Sequence, residues 1–303
     1  MRRFPLPALT TAALTVALLA GASALRAPLA APASRVTILY DAFGMSRTMR
    51  KDWGYSAFVE HGGKRILFDT GNDPEVFAHN VRAAGVDLRT LDFVVVSHRH
   101  LDHTAGLRHL LRVNPRVTIY APREAFGVFG SRLPGTFYRK SDSLPPAMRY
   151  YDGRPADTLT FGTAWPEGRF VVVDSTRTVA PGVHLVSLVS DAAGTKELRE
   201  LTLVLDTPSG AVVVAGCSHP GIERIVAAAS ALGRPVHMVF GGFHLPTAAD
   251  ADIARVAATL HDHYRVARLA PGHCTGEPAF HHFRRVWGEG YVYAGVGSVI
   301  DVR

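Results

Sequence analysis

Short apolar runs, bounded by Gly, Pro, Asn or Asp, recur along most of the chain and alternate with stretches of helical spacing. Val36–Tyr40 is the first such run. Ser56–Glu60 and Arg65–Asp69 flank His61-Gly62-Gly63-Lys64, which predicts a hairpin. Phe93–Ser97 is a continuous β-branched run, the pattern of a strand covered on both faces. Further strands are predicted at Val117–Tyr120, Phe170–Val173, Val183–Val189, Leu201–Asp206, Ala211–Ala215, Val236–Phe240, Val266–Leu269 and Tyr291–Val299. Thr207-Pro208-Ser209-Gly210 joins one adjacent pair as a hairpin. Helical spacing marks Asp73–Ala84, which stops at Gly85, then Leu107–Val113, Ile222–Leu232, Ala248–His263 and Phe280–Trp287. In Ala248–His263 the apolar face is Ile253, Val256, Ala257 and Leu260.

Residues 123–165 break the rhythm with Phe126-Gly127-Val128-Phe129-Gly130, Pro134-Gly135 and Pro145-Pro146, and predict an insertion or lid with little regular structure. On either side of it, sequential strands give way to strands alternating with helices. That order predicts an α/β chain folded as a four-layer αββα sandwich over residues 35–303.

The 303 residues are 47% hydrophobic and 19% charged, which excludes a disordered chain. Two cysteines exclude a disulfide scaffold and a four-cysteine zinc ribbon. Met1–Arg3 is a short basic start, Phe4–Leu25 carries no charge, and Ala22-Ser23-Ala24 offers a small-residue cleavage site. Together these predict a signal peptide over 1–24 and an Ala/Pro-rich linker over 25–34. The expected location is periplasmic or secreted, with an uncleaved membrane anchor as the alternative. Losing Arg2 and Arg3 lowers the formal net charge from +7 to +5. No run of five like charges occurs, so no nucleic-acid footprint is expected. After the leader no apolar stretch reaches the roughly 18 residues of a spanning helix.

His98-Arg99-His100-Leu101-Asp102-His103 follows directly on the predicted strand Phe93–Ser97. Three imidazoles and a carboxylate at a strand exit are a divalent-metal ligand set, zinc first, with iron or manganese as alternatives. Residues i and i+2 of an extended turn point the same way, so His98 and His100 can grip one ion. Asp102 and His103 then fall in the first turn of a helix, placed for a second ion. Cys217 and His219 repeat the two-residue spacing at the exit of Ala211–Ala215, and His273 follows Pro271-Gly272 beyond another strand. Asp69 is read as an acceptor that orients the histidines. Four roles stay open for His244 after Gly241-Gly242: ligand, substrate contact, proton donor or structural histidine. Cys217 is read as a free thiol near the metal, against a disulfide to Cys274. The other nine histidines are read as surface or structural.

The H-x-H-x-D-H motif after an apolar strand, with Asp69-Thr70-Gly71 upstream, resembles the metallo-β-lactamase superfamily. Gly216-Cys217-Ser218-His219, Gly241-Gly242-Phe243-His244-Leu245 and His273-Cys274-Thr275-Gly276 resemble its dihydropterin-ribofuranosyl-aminobenzene-phosphate synthase-like branch. The resemblance implies the metallo-β-lactamase fold from about residue 36 to 303. It implies one or two metal ions, with His98, His100 and His219 on the first and Asp102, His103 and His273 on the second. It places Cys217 where the superfamily has a bridging aspartate. The upstream turn Ala193-Gly194-Thr195 lacks the superfamily's histidine, though Glu197 and Glu200 lie close by. The reaction implied is metal-assisted hydrolysis of an ester, lactone, amide, thioester or phosphoester in a small molecule. Asp102 would handle the proton and His244 the leaving group. A non-hydrolytic synthase, iron redox chemistry and a catalytically silent metal-binding protein are the alternatives.

Overall fold

The structure, a computed structural model, describes residues 1, 34–123, 131–134, 145, 149, 154–161, 165 and 167–302. The chain separates into the units Met1–Ala31 and Pro32–Arg303. The predicted leader and linker lie outside the described residues except for Met1 and Ser34. Among the described residues no helix is long and apolar enough to cross a membrane.

The first sheet collects β1 (Arg35–Tyr40), β2 (Ser56–His61), β3 (Lys64–Phe68), β4 (Phe93–Val95), β5 (Thr118–Pro122), β8 (Arg169–Val173) and β15 (Val299–Asp301), in the order β15-β1-β2-β3-β4-β5-β8. The second runs β14-β13-β12-β11-β10-β9, from β9 (Arg177–Ala180), β10 (Val183–Val189), β11 (Arg199–Thr207), β12 (Gly210–Ala215), β13 (Val236–Gly241) and β14 (Arg268–Pro271). Helices α1 (Pro74–Ala83), α2 (Leu101–Thr104) and α3 (Leu107–Val113) belong to the first half, and α4 (Ile222–Ser230), α5 (Asp250–Ala258) and α6 (Glu277–Trp287) to the second.

Three apolar clusters define four layers. Val59, Phe68 and Val95 of the first sheet meet Leu203, Val214 and Phe240 of the second in the central one. Leu67, Val94 and Ile119 pack outward on Phe77 of α1 and Leu110 of α3. Val213 and Val239 pack outward on Ile225, Val256 and Phe283 of α4, α5 and α6. Each fully buried Val, Leu, Ile or Phe stabilises by about 1.5–3 kcal/mol. The αββα sandwich expected from the element order is therefore the architecture of this chain.

The differences from expectation are local. The strand β9 was not predicted; it is a four-residue edge strand with two exposed residues, so it carries no burial signal. The closing strand is Val299–Asp301 rather than Tyr291–Val299, because Gly295 and Gly297 (φ +89°) interrupt the longer run. Within the predicted irregular insertion, β6 (Ser131–Pro134) and β7 (Thr158–Phe161) form an antiparallel pair. The rest of that lid lies largely outside the described residues. The helix predicted to run through His263 leaves α5 as a π-helical turn at Thr259–His263.

Strands β3, β4 and β5 are parallel neighbours, as are β12, β13 and β14. Ligand sites in such sheets form beyond the carboxyl ends of the strands. A hydrogen bond from Leu201 N–H to the Ser97 carbonyl, 2.8 Å, ties the two sheets together there.

Candidate metal centre

At the end of β3, Asp69 adopts φ +56° and turns a fully buried carboxylate toward the exit of β4. Its Oδ1 accepts from Ser97 N–H at 2.7 Å, and its Oδ2 accepts from Ser97 Oγ at 2.6 Å. Oδ2 also lies 2.7 Å from His103 Nδ1. Ser97 Oγ has one proton, and Asp69 takes it. The 2.9 Å contact between Ser97 Oγ and His98 Nδ1 is then a hydrogen bond donated by the ring. The same logic makes His103 Nδ1 a donor. His98 is left with an Nε2 lone pair that is buried with no partner, and His103 likewise turns its Nε2 inward. Asp69 thus orients the histidines, as expected, His98 through Ser97 and His103 directly.

The exit of β12 is organised by Glu200, at the start of β11. Oε1 accepts from Cys217 N–H (3.0 Å) and Ser218 N–H (2.8 Å), and Oε2 accepts from His219 N–H (2.9 Å). Oε2 is also 3.0 Å from His219 Nδ1. Ser218 has φ +66°, which lets three successive N–H groups converge on one anion. Gly216 is required by space: a Cβ there would lie 2.3 Å from Ser97 Oγ.

Two further exits close the ring. Gly242 N–H donates to the Gly216 carbonyl and Gly272 N–H to the Gly241 carbonyl, locking the β12, β13 and β14 turns side by side. His273 (φ +45°) is held by its N–H, which donates to Asp41 Oδ2 at 2.9 Å. Burial raises the Asp41 carboxyl to about 7 against the hydrogen bond from His273. His244 (φ +52°) sits at the exposed rim, its ring 4.4 Å from that of His219.

These turns bring together donor atoms within 4.8 Å of one another in overlapping sets: His98, His100 and His219; Asp102, His103 and His273; and His98, His103 and Cys217. Cys217 also joins His273 and Cys274, and His219 and His244. All seven predicted ligands therefore share one cluster, and Cys217 stands where its two halves meet. Both cysteines are free and buried.

The donor chemistry fits a cation. His103 Nε2 faces His273 Nε2 at 3.2 Å, Cys217 Sγ at 3.2 Å and Asp102 Oδ2 at 3.8 Å. These are two imidazole nitrogens, a sulfur and a carboxylate oxygen gathered around one point, a set of metal-ligand atoms once their protons are displaced. His219 Nε2 and His273 Nδ1 are buried without partners. Burial opposes a charge on His98 and drives its pKa well down, aided by the neighbouring imidazoles. Burial and His219 lower His100 to about 4. Burial also works against a charge on His103, but the Asp69 carboxylate overrides it and raises that ring to about 9. Burial favours neutral Asp102 as well; the hydrogen bond with His273 and the surrounding rings hold it well below the carboxylate range instead. Burial pushes the Cys217 thiol up, and a cation beside the sulfur would reverse that.

Sequence reasoning singled out Asp69 but not Ser97 or Asp41. Glu200, noted only for its proximity, is fully enclosed, whereas Glu197 is exposed. The signal for Glu200 is a buried carboxylate at the start of β11, directly ahead of its apolar stretch. Of Trp53-Gly54-Tyr55, Tyr55 is core, while Trp53 is half exposed with its ring 5.2 Å from His273. Trp53, Phe43, Phe280, Pro246 and Pro278 line a cavity of about 410 Å³ that reaches His273.

Residues 64–164 match a β-lactamase superfamily domain. The chain is 28% identical over 270 residues to a 7,8-dihydropterin-6-methyl-4-(β-D-ribofuranosyl)-aminobenzene-5'-phosphate synthase of Methanocaldococcus jannaschii, covering 80% of this chain and 86% of that one. A solved metal-dependent hydrolase of the β-lactamase superfamily superposes with a TM-score of 0.65 at 26% identity, over 89% of this chain and 99% of that one. The short form of human tRNase Z shares the fold, with a TM-score of 0.50 at 15% identity, over 89% of this chain and 99% of that one.

Proposed function

The chain belongs to the metallo-β-lactamase superfamily, and from that premise we propose that it is a metal-dependent hydrolase acting on an ester, lactone, amide, thioester or phosphoester of a small molecule. The observation that carries the reading is the cluster of inward-facing donor atoms around Cys217, with His98, His100 and His219 on one side and Asp102, His103 and His273 on the other. These residues would hold two divalent ions, zinc by the balance of imidazole, thiolate and carboxylate donors, with iron or manganese as alternatives. When bound, such ions supply Lewis acidity and a water acidic enough to ionise near neutral pH.

The chain's own groups do the rest. Asp69, through Ser97, and Glu200 keep the ring donors aimed inward. Asp102, one-fifth exposed, reaches solvent from the cluster, which places its second oxygen to take the proton of the attacking water. His244 stands at the rim, and its hydrogen bond with Cys274 raises the ring's pKa, which suits it to protonate a leaving group. The aromatic cavity beside His273 would seat an apolar part of the substrate.

The test is turnover of ester, lactone and phosphodiester probes by the metal-loaded protein. His100→Ala and Asp102→Ala are expected to abolish it with an unchanged circular-dichroism spectrum; retained turnover would refute the reading. The likeness to the Methanocaldococcus enzyme favours a second reading, a non-hydrolytic synthase. The basic, apolar and small-residue pattern of 1–24 supports export of the mature chain, where phosphorylated pterin precursors are not met. Amino-terminal sequencing of the exported protein should begin after Ala24; a product confined to the cytoplasm with an intact leader would restore the synthase.

A further inference from the structure

We infer that Glu200 is a positioning residue of the metal centre, holding His219 in its Nδ1–H form and setting the aim of Cys217. This rests on the reading of the cluster as a metal centre. The carboxylate is fully enclosed, and among the described residues its one ion-pair partner is the His219 ring. Its four contacts go to a single turn: the N–H groups of Cys217, Ser218 and His219, and His219 Nδ1. Three main-chain N–H groups donate to its two oxygens, the surroundings of a carboxylate that only accepts.

An ionised carboxylate only accepts, so His219 Nδ1 must carry the proton. Nε2 is then a bare lone pair, and it is the buried atom that lacks a partner. The His219 ring lies 4.6 Å from that of His98 and 4.8 Å from that of His100. The main-chain bonds act on Cys217 as well, fixing the turn from which its Sγ reaches His103 Nε2. Asp69 does the same for His98 and His103 from the first sheet. Each sheet thus supplies a buried carboxylate that orients donors at its own strand exits.

Glu200→Gln preserves size but reverses this logic. An amide has one acceptor oxygen and one donor nitrogen, and either orientation sets N–H against N–H. With the amide nitrogen toward Nδ1, the proton moves to Nε2 and blocks the donor atom.

The experiment is zinc titration against a chromogenic chelator for the wild-type chain, Glu200→Gln, His219→Ala and the double variant. Glu200→Gln should weaken at least one zinc equivalent about 10–100-fold, as losing an orienting partner does elsewhere, and His219→Ala, which removes the ligand itself, should weaken it at least as much. The double variant should lose less than the sum of the two single losses, the excess over His219→Ala being what Glu200 does through Cys217. Wild-type affinity in Glu200→Gln, or additive losses in the double variant, would overturn the inference while the metal reading stands. A wild-type chain that takes up no zinc would overturn both. Nitrogen-15 histidine spectra of the zinc-loaded wild-type chain need no variant. They should show a protected Nδ1–H on His219, and a proton on Nε2 would refute the assignment.

Discussion

Asp69 settles the protonation pattern of two rings at once, and the consequences are measurable at single residues. Because its carboxylate raises His103 to about 9 against the effect of burial, the metal-free ring carries a proton at pH 7. Zinc must displace that proton, so binding should release it to the buffer at pH 7, and the release should fade as pH rises through about 9. Calorimetry in buffers of different ionisation enthalpy reads this. The sign for stability follows. A raised pKa means that the Asp69–His103 pair stabilises the metal-free protein in full below the unfolded value of about 6.5 and is lost as pH rises through about 9. The chelated protein should therefore melt lower at pH 9.5 than at pH 6.5, and Asp69→Asn should remove the difference. At the rim, His244→Ala should lower kcat by about 10²–10⁴-fold with metal content unchanged. Most of these residues were legible as types and spacings, since His98, His100, Asp102 and His103 fall within six positions. Ser97, Asp41 and Glu200 were not, because their roles consist of hydrogen bonds to turns distant in sequence.

The elements carry the site only because their ends approach more closely than side chains allow. Gly241 leaves β13 at φ +102°, and a Cβ there would lie 1.9 Å from the Ala215 carbonyl at the end of β12. Gly241→Ala should destabilise by about 2–4 kcal/mol, because the neighbour is backbone and has no room to move. Equilibrium denaturation would read this as a lower midpoint. On the outer face, Phe283 of α6 is fully buried against the second sheet, and Phe283→Ala should cost about 3–5 kcal/mol. The apolar runs predicted the buried strands well, as in β12 and β13, where nearly every position is enclosed. They failed at edges. The strand β9 is half exposed, and β15 is three residues long with Val299 60% exposed, so neither presents the periodicity that burial imposes elsewhere.

Across the whole molecule, the two sheets contribute to one centre from opposite sides, and neither half is complete alone. His98 and His100 follow β4 of the first sheet, while the His219 that joins them follows β12 of the second. Metal should then act as a clamp between the sheets. At a free concentration 1,000 times the dissociation constant, one bound ion stabilises by about 4 kcal/mol, and chelation should lower the melting temperature accordingly. The layered architecture was legible because element order alone selects an αββα sandwich. The convergence of five turns was suggested by motifs and became geometry only through the hydrogen bonds between strand ends. The most direct test is the metal content of the purified protein by plasma mass spectrometry, beside His103→Ala. Two equivalents of a divalent metal per chain, falling to one in His103→Ala, is the predicted result. No bound metal in the wild-type chain, or an unchanged count in the variant, would contradict it.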